Sequence, residues 1–399
     1  MRLLFVHDRF GAMAGAEVNI HLTAAALQSR GHDIGLVHGP STGKAVSTWN
    51  ALFEQRYALE DPDPGTRVAT ALRQFRPDAI YVHKMSDLMV LEGLVTSGRP
   101  VARMVHDHDL YCLRSYKYFP LTRRICTRGA GLHCIFPCGG VLKTNRGGVL
   151  PFRWQSYRRK LKELQLNRRF ERLVVATAYM RDELIRNRFA SHRIEIHSPV
   201  PWSTGNEVQS SFSDQNLVLF SGQVIRGKGV DLLLRALAKV RAPFQCAIVG
   251  DGNHRAVCEA LSRKLKLHDR VTFHGYLPFD KLAAFYSEAC VVAVSSVWPE
   301  PFGAVGIEAM RHGVPVVGFD SGGIPEWLID GENGFLIPWA DTTAFAERIE
   351  QLLRDKPLAR RLGAQGRNRA LAESGFDHYV SGLEGMFDRI VSSRVALPA

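Results

Sequence analysis

Two glutamates in the segment WPEPFGAVGIEAMRHGVPVV (298–317) have the type and spacing needed to bind a hydroxyl-rich ligand. Glu300 lies in a loop, and Glu308 follows inside a helix that is predicted to begin near Gly303. The unpaired backbone N–H groups of a helix start attract anionic or hydroxyl-rich groups. A carboxylate on either side of that start can accept hydrogen bonds from sugar or ribose hydroxyls. Taken singly, each glutamate has an equally good structural explanation, Glu300 as a cap of this helix and Glu308 as a residue on its solvated face.

A loop with two closely spaced glycines would bring a cation to a bound anion. It lies within SGQVIRGKGVDLLLRAL (221–237). Gly227 and Gly229 let the backbone approach a ligand closely, and Lys228 places a positive charge at the start of the predicted helix. The spacing differs from that of the GxxxxGK[ST] phosphate loop. A further glycine turn, 250–252, follows the next predicted strand and by itself predicts only a tight turn.

Histidine and aspartate alternate in VHDHD (105–109), at the end of another predicted strand. Both residue types bind metals. Neighbours at a strand end point in alternate directions, so this run cannot enclose one ion unaided. We therefore do not expect this run to form a metal site.

Four of the seven cysteines crowd into one stretch close to His133: Cys112, Cys126, Cys134 and Cys138. Thiolates in a loop-rich insertion predict a structural zinc site, with disulfide or redox pairs and unpaired thiols as the alternatives. The absence of a CxxC pair weakens the zinc interpretation. The other three cysteines lie in apolar strand or helix contexts and are predicted to be small core residues: Cys246, Cys258 and Cys290.

Strands and helices alternate in both halves of the chain, the pattern of parallel sheets with crossover helices. In the first half we predict strands at 2–6, 34–38, 79–83, 101–106 and 173–177, with a helix at 17–29. A Ser-, Pro- and Gly-rich linker is predicted at 198–214, and a second series runs from a strand at 217–220 to a helix at 342–354 and a final helix from 376. The pattern predicts two doubly wound α/β domains with ligands at the carboxyl ends of the strands, in a cleft between the domains.

Composition and charge exclude several classes of protein. With 399 residues, 46% hydrophobic and 23% charged, the chain is neither largely disordered nor collagen-like. No apolar run reaches the ~18 residues of a membrane span, and the N-terminus lacks the features of a signal peptide, so we expect a cytoplasmic protein. The net charge of +12 comes from the first 200 residues, which hold 30 Lys and Arg against 17 Asp and Glu.

The positive charge is concentrated in residues 114–172, which carry 15 basic and 2 acidic side chains. Within this stretch, 151–173 is predicted to be a basic amphipathic helix that could lie on an anionic membrane, with Trp154 and Tyr157 at headgroup level. Nucleic-acid binding through phosphates and an ordinary solvated helix are the alternatives.

The order of these motifs, together with GGIPE at 322–326, resembles that of retaining glycosyltransferases of family 4, which have the GT-B fold. That resemblance implies two Rossmann-like doubly wound domains facing a central cleft. Residues 1–205 would form an acceptor-side domain with a basic, Cys-rich insertion at about 110–172. Residues 206–375 would form the nucleotide-sugar domain, and 376–399 a helix that packs back on the N-terminal domain.

The resemblance also implies roles for individual residues. Glu300 would hold the transferred sugar, Glu308 the donor ribose and Lys228 the donor diphosphate, while His106 would touch the donor sugar. Further donor contacts would come from backbone and side chains around the loops: Gly15, Ala16, Gln223, Arg226, Gly250, Tyr276, Phe302, Gly303 and Ala304.

One position departs from the family pattern. Gln223 stands where such enzymes usually carry an arginine, the second cation on the diphosphate. Arg226 could supply that charge from a different backbone point. Without it the leaving group is less well neutralised, and turnover would be slow or absent.

We therefore predict a retaining glycosyltransferase that moves a sugar from a UDP- or GDP-sugar to a hydroxyl of a glycan or lipid-linked acceptor, of the kind used in cell-envelope polysaccharides. No cofactor is expected for catalysis. The alternatives are a phosphorylase or nucleotide-sugar epimerase, a non-catalytic nucleotide-sugar-binding protein, and a nucleic-acid-binding protein that uses segment 114–172. The expected location is the cytoplasm or the inner face of a membrane.

Overall fold

The structure, a computed structural model, describes residues 1–11, 15–59, 63–144, 152–199, 208–373 and 375–395. The chain divides into two compact units. Unit 1 comprises Met1–Tyr116, Thr127–Pro199 and Asp377–Ala399, and unit 2 comprises Lys117–Cys126 and Val200–Phe376. The C-terminal stretch thus belongs to the first unit, and ten residues from the first half of the sequence belong to the second.

The elements of unit 1 up to the linker, in chain order, are β1 (Arg2–His7), α1 (Gly15–Ser29), β2 (Asp33–His38), α2 (Val46–Leu52), β3 (Gln55–Ala58), α3 (Pro64–Phe75), β4 (Ala79–Val82), α4 (Leu88–Thr96), β5 (Val101–Met104), β6 (Leu142–Thr144), β7 (Phe152–Trp154), α5 (Tyr157–Asn167), β8 (Arg172–Val175), α6 (Ala178–Arg186) and β9 (Ile194–Ile196). Short 3-10 turns lie at His108–Leu110, Leu132–Cys134 and Ser191–Arg193.

Seven of these strands form one parallel sheet in the order β3-β2-β1-β4-β5-β8-β9. The chain winds from β1 outward to β3 and then returns to place β4 on the other side of β1. The strand order therefore reverses between β1 and β4, where doubly wound sheets open a crevice for ligands. Strands β6 and β7 form a separate antiparallel hairpin.

The elements that follow are β10 (Leu217–Ser221), α7 (Val230–Leu237), β11 (Gln245–Val249), α8 (Arg255–Lys264), β12 (Val271–Gly275), α9 (Phe279–Glu288), β13 (Val291–Val294), α10 (Ala304–Arg311), β14 (Val316–Phe319), β15 (Gly334–Ile337), α11 (Thr342–Arg354), α12 (Lys356–Glu373) and α13 (Phe376–Val395). Two 3-10 turns lie at Arg226–Lys228 and Ile324–Glu326.

The sheet of unit 2 is also parallel, in the order β12-β11-β10-β13-β14-β15, and its strand order reverses between β10 and β13. Both faces are covered by helices, so central strands are buried on both sides. In β10, Val218 and Phe220 join the hydrophobic core on one face, and Leu217 and Leu219 join the core on the other. This confirms the doubly wound α/β architecture predicted from the alternating pattern.

The last helix, α13, packs on unit 1 through apolar and polar contacts. The Phe387 ring meets Tyr81 edge-on at 5.3 Å between centroids, and the Thr23 hydroxyl lies 3.4 Å from the Tyr379 hydroxyl. At its exposed edge, the Arg30 guanidinium donates to Glu384 at 2.5 Å. These contacts tie the end of the chain to α1 and β4.

Several helix starts are encoded locally by a side chain that accepts hydrogen bonds from the first backbone N–H groups, which otherwise lack partners. These caps precede α3, α4, α5, α6 and α11: Asp63, Asp87, Ser156, Thr177 and Asp341.

The predicted basic helix over 151–173 is wrong in its extent. Helix α5 begins at Tyr157, because Ser156 caps it, and ends at Asn167; Trp154 lies on β7. The basic side chains of α5 are largely paired, with Lys160 bound to Glu163 and Lys162 to Glu92, both close to 2.5 Å. No helix in the described ranges combines the length and the apolar composition that a bilayer crossing requires.

Candidate active site

The loops that follow β10 and β13 meet where the strand order of unit 2 reverses. The carbonyl of Gly227 accepts hydrogen bonds from the backbone N–H groups of Val297 (2.8 Å) and Trp298 (3.1 Å). The Ser295 hydroxyl donates to the carbonyl of Lys228 at 2.9 Å. These bonds fix the glycine loop predicted from sequence against the loop that leads from β13 to Glu300.

Two glycines allow this close approach of backbone to backbone. Gly229 has φ 66°, and a Cβ atom there would lie 2.0 Å from the carbonyl oxygen of Ser295. A Cβ atom on Gly250 would lie 1.8 Å from the carbonyl oxygen of Gly222. Only glycine fits at either position. Gly250, predicted as a donor contact, thus has a clear structural role in joining the turns after β10 and β11.

Lys228 and Glu300 form the central ion pair of the site. Lys228 Nζ donates to Glu300 Oε1 at 2.6 Å and lies 5.3 Å from the centroid of the Trp298 ring. The Ser296 hydroxyl donates to the same carboxylate oxygen. Glu300 is only 3% exposed. A buried carboxylate held by two donors is fixed in position.

The backbone of Glu300 is held from the opposite side by the turn after β14. Gly323 N donates to the carbonyl of Glu300 at 2.7 Å, and Glu300 pairs with Gly322 in an isolated parallel bridge. The Ser321 hydroxyl donates to the carbonyl of Trp298 at 2.6 Å. The GGIPE motif therefore acts by positioning Glu300.

Helices α7 and α10 both begin at a left-handed glycine, Gly229 or Gly303, with no side-chain cap. Their first N–H groups have no capping side chain that competes with a bound anion. Phe302 is held next to the start of α10, since its carbonyl accepts a 2.6 Å hydrogen bond from the indole of Trp327.

Glu308 projects from the second turn of α10 and is partly buried. The Tyr286 hydroxyl donates to Glu308 Oε2 at 3.1 Å, and the Tyr286 ring stacks on His312 at 5.0 Å between centroids. Burial raises the pKa of Glu308 to about 7, although the Tyr286 hydroxyl and the charge of Arg311 act in the opposite direction. This carboxyl group therefore changes charge close to neutral pH.

Three further predicted donor contacts lie in different surroundings. Gln223 is exposed, and Tyr276 is 74% exposed just beyond β12. The Arg226 guanidinium donates to the carbonyl of Pro120 and, at 3.5 Å, to that of Leu121. The cation that was expected to replace the missing arginine is thus bound to backbone carbonyls.

Pro120 and Leu121 belong to an arm, Lys117–Cys126, that folds as a tight antiparallel turn within unit 2. Arg123 of this arm makes a two-pronged ion pair with Asp231 of α7, with N···O distances of 3.0 and 2.9 Å. No motif in the sequence indicates this placement.

In unit 1, His106 follows β5 and meets His83, which follows β4. His83 Nδ1 and His106 Nε2 are 2.9 Å apart, and the rings stack at 5.2 Å between centroids. Burial, reinforced by the positive charge of Lys84, lowers the pKa of His106 to about 3. The imidazole is therefore neutral at pH 7, suited to hydrogen bonding with hydroxyls. His83 was not anticipated from sequence.

The glycine loop of unit 1 is described only in part, since residues 12–14 lie outside the described ranges. Gly15 begins α1, and Ala16 is the next residue. Beside them, Glu17 Oε1 lies 3.5 Å from His7 Nε2. Burial alone would raise the pKa of Glu17, but hydrogen bonds from His7 and from the backbone lower it to about 2. An ionised acid is thus held at the start of α1.

The four clustered cysteines are all partly exposed, and Cys134 Sγ lies 3.6 Å from His133 Nε2. Across the described ranges, no group of three or more His, Cys, Asp or Glu side chains is placed to hold a metal ion. The geometry thus gives the zinc prediction no support. As predicted, Cys246, Cys258 and Cys290 are buried.

Two family models match the chain in succession. Glycosyltransferase Family 4 matches residues 13–199, and Glycosyl transferases group 1 matches residues 205–369. Together they cover residues 13–369 apart from 200–204.

Curated relatives align with part of the chain. The D-inositol 3-phosphate glycosyltransferase of Corynebacterium diphtheriae is 32% identical over 231 residues, 52% of this chain and 54% of that protein. A GDP-mannose-dependent phosphatidylinositol monomannoside mannosyltransferase of Mycolicibacterium smegmatis is 32% identical over 167 residues, 40% of this chain and 44% of the relative. The chain thus spans about half the length of the curated relatives it matches.

Among solved structures, Anabaena HepE in complex with UDP and glucose superposes with a TM-score of 0.74. The match covers 98% of this chain and 100% of that one, at 19% sequence identity. At this identity the likeness establishes the fold.

A substitution tests whether the turn after β14 holds Glu300. We expect Gly322→Ala to cost more stability than Gly331→Ala. Both glycines have positive φ, 67° and 72°, but a Cβ atom on Gly322 would lie 2.4 Å from the N and O atoms of Glu300, whereas Gly331 faces open space. Backbone strain of about 1–2 kcal/mol is common to both, and overpacking adds about 1–3 kcal/mol at Gly322 alone. Chemical denaturation measures the free energy of unfolding of both variants. Equal losses of stability would show that the turn accommodates the added Cβ atom without displacing Glu300.

Proposed function

Because this chain belongs to the glycosyltransferase family 4 type and has the GT-B fold, we propose that it transfers a sugar from a nucleotide-diphosphate sugar to an acceptor hydroxyl with retention of anomeric configuration. The observation that carries the proposal is the Lys228–Glu300 pair, held at 2.6 Å beside the uncapped start of α10. A cation, a buried carboxylate and free helix N–H groups together match a diphosphate bonded to a sugar.

The proposed donor is a UDP- or GDP-sugar. HepE was crystallised with UDP and glucose, and one mycobacterial relative is named for its dependence on GDP-mannose. In this assignment Glu308 accepts hydrogen bonds from the donor ribose, and the backbone of 302–304 faces the phosphate and sugar oxygens. In the same proposal Tyr276, which is 74% exposed after β12, contacts the base.

In the proposed chemistry the acceptor oxygen attacks the anomeric carbon from the same face from which the diphosphate departs. Glu300 is already bound by Lys228 and Ser296, which disfavours its service as a covalent nucleophile. The bond from the sugar to the diphosphate breaks, the acceptor oxygen bonds to the anomeric carbon, and its proton passes to a diphosphate oxygen. Lys228 and the N-terminus of α10 stabilise the charge that develops on the diphosphate.

The acceptor we propose is a glycan or a lipid-linked glycan, as in cell-envelope polysaccharides. This assignment rests on the phosphatidylinositol mannoside named as the substrate of one relative. We place the enzyme in the cytoplasm or on the inner face of a membrane.

Nucleotide-sugar binding without turnover is a second candidate, and one contact favours it. Arg226 is held by the carbonyls of Pro120 and Leu121, and Gln223 carries no charge, so neither supplies the second diphosphate cation that the family pattern expects beside Lys228. Release of UDP or GDP on addition of an acceptor distinguishes the two: turnover establishes the transferase, and donor binding without release establishes the binding protein.

Removing the charge of Lys228 should slow turnover. Truncating one preorganised charged donor at a leaving group typically costs about 100- to 1,000-fold in kcat. We expect that range for Lys228→Met, measured as nucleotide release from a panel of UDP- and GDP-sugars. The matched control is Lys264→Met, since Lys264 is an exposed residue at the end of α8. Similar kcat values for the two variants would rule out the assignment of Lys228.

Donor affinity should depend on pH through Glu308. Its pKa of about 7 lies above the usual value, so the carboxylate that accepts ribose hydrogen bonds is present above pH 7 and lost below it. We expect UDP or GDP affinity, measured calorimetrically, to fall by at most about tenfold per pH unit below 7. In Glu308→Gln the affinity should no longer depend on the charge of residue 308. Any pH dependence that remains should come from protonation of the nucleotide's own phosphate. A wild-type profile that matches that of Glu308→Gln would show that Glu308 does not bind donor.

We also propose peripheral contact with an anionic membrane. The Cys-rich insertion exposes large apolar side chains, with Phe136 84%, Leu132 75% and Trp154 74% exposed, in a strongly basic stretch of sequence. Trp154→Ala should weaken cosedimentation with vesicles that contain anionic lipid several-fold. Met89→Ala, which truncates a 48% exposed side chain on α4, should have little effect. Equal binding by both variants and the wild type would exclude the hairpin as a membrane contact.

A further inference from the structure

A buried tyrosine of α9, Tyr286, contacts the carboxylate that the proposed function assigns to the donor ribose. Its hydroxyl donates to Glu308 Oε2 at 3.1 Å, and the residue is only 1% exposed. The Ser221 side chain, at the end of β10, hydrogen-bonds to the same hydroxyl. Tyr286 therefore links the strand before the glycine loop to the helix that carries Glu308. With so little exposed surface it does not touch a ligand itself, so a role in the reaction must act through Glu308.

Packing fixes the position of the Tyr286 ring. The ring belongs to the hydrophobic core on one face of the unit 2 sheet and stacks on His312, with 5.0 Å between centroids and 8° between planes. His312 Nδ1 in turn donates to the carbonyl of Val208 at 2.7 Å. These contacts do not involve the tyrosine hydroxyl. Tyr286→Phe therefore keeps them and removes only the hydroxyl group.

The hydrogen bond from Tyr286 favours the ionised form of Glu308. A hydroxyl donates more strongly to a carboxylate than to a neutral carboxyl group. The bond therefore acts against burial, which raises the pKa of Glu308 to about 7. A carboxylate accepts hydrogen bonds at both oxygens, whereas a neutral carboxyl group uses one oxygen as a donor. Recognition of ribose hydroxyls by Glu308 thus depends on the ionised form.

Among the described residues, the charged group that acts on Glu308 is Arg311, one turn further along α10. Its charge lowers the pKa of Glu308, but less than the Tyr286 hydroxyl does. Arg367 of α12 donates to the carbonyl of Arg311. Strands β13 and β14, which also pack on α10, carry no titratable side chain. Tyr286 is therefore the main contact that keeps Glu308 ionised.

We propose that Tyr286 is a positioning residue for donor binding, which holds Glu308 as an oriented carboxylate for the hydroxyls of the donor ribose. The inference rests on the proposed function, in which Glu308 binds the ribose, and adds a residue that no motif in the sequence indicates. When a nucleotide binds, the protonated fraction of Glu308 loses its proton to the solvent. Tyr286 sets the size of that fraction.

The first test is the affinity of the full-length chain for UDP or GDP as a function of pH, measured calorimetrically for wild type and Tyr286→Phe. A hydrogen bond to a charged group is strong enough to move a pKa by about one to two units. We expect the pH at which affinity falls to rise by that amount in the variant. Affinity at pH 7 should then drop by about five- to fiftyfold. A merely structural role would lower affinity equally at every pH, and either that result or an unmoved profile would overturn the inference.

Tyr379→Phe is the matched control. Tyr379 is also a buried tyrosine, 2% exposed, and its hydroxyl accepts hydrogen bonds from Asn19 at 3.3 Å and Thr23 at 3.4 Å in unit 1. Its substitution should reduce the free energy of unfolding, as Tyr286→Phe does, but leave the pH profile of nucleotide binding in place. The same shift in both variants would mean that it follows from a general loss of stability, which would also overturn the inference.

Proton release assigns the shift to Glu308. Calorimetry at pH 7 in buffers of different ionisation enthalpy counts the protons released on binding, and the part from the nucleotide's own phosphate is common to all variants. Beyond that part, we expect about half a proton from wild type, about one from Tyr286→Phe and none from Glu308→Gln. Equal release by wild type and Tyr286→Phe would contradict the role of the tyrosine.

A modified ligand assigns the effect to the ribose. The 2′,3′-dideoxy form of the same nucleotide lacks the hydroxyls that Glu308 is proposed to bind. Wild type and Tyr286→Phe should therefore bind it with equal affinity at pH 7. If Tyr286→Phe weakened this ligand as much as the parent nucleotide, the tyrosine would not act through ribose recognition.

The same data separate this inference from the proposed function. A pH profile that Glu308→Gln abolishes and Tyr286→Phe leaves unmoved would overturn the inference alone. If the chain bound neither UDP nor GDP, the proposed function would fail and the inference with it.

Discussion

The ion pair between Lys228 and Glu300 is the interaction on which the site of unit 2 depends. It joins the loop after β10 to the loop after β13, two strands that are neighbours in the sheet but far apart in sequence. Parallel strands bring such loops to one edge, and the reversal of strand order leaves a gap there. The pair lies at that gap, with Ser296 on one side and the backbone of the turn after β14 on the other. A charge that is held in place before ligand binding needs little reorganisation when a leaving group develops charge.

Backbone packing at this edge explains why glycine recurs in the motifs. Gly229 and Gly250 carry no Cβ because another backbone carbonyl occupies the space, and Gly322 is constrained in the same way by Glu300. The result is a set of loops held by hydrogen bonds between backbones, with few long side chains involved. Unit 1 uses the same parallel architecture but lines the corresponding edge with charged side chains and with two neutral histidines in contact.

Much of this could be predicted from sequence, because the features were local. The alternation of strands and helices predicted both sheets, and Lys228, Glu300 and Glu308 were found from their places next to helix starts. Short edge strands such as β3, β9 and β15 were missed, since three or four residues carry too little periodicity. Ser296, Tyr286 and His83 were missed for another reason: each contributes through a partner that only the fold brings near. The arm that contacts Arg226 lies more than a hundred residues away in sequence. The predicted basic helix begins later than expected because Ser156, a residue in an ordinary sequence context, caps its start.

The most direct measurement is a crystal structure of the full-length chain with UDP or GDP bound. The diphosphate should lie at the start of α10, with Lys228 Nζ moved from the 2.6 Å contact with Glu300 onto a phosphate oxygen and Glu308 within hydrogen-bond distance of the ribose. A nucleotide bound away from α10, with the lysine still on the glutamate, would contradict the assignment of this edge of the sheet as the donor site.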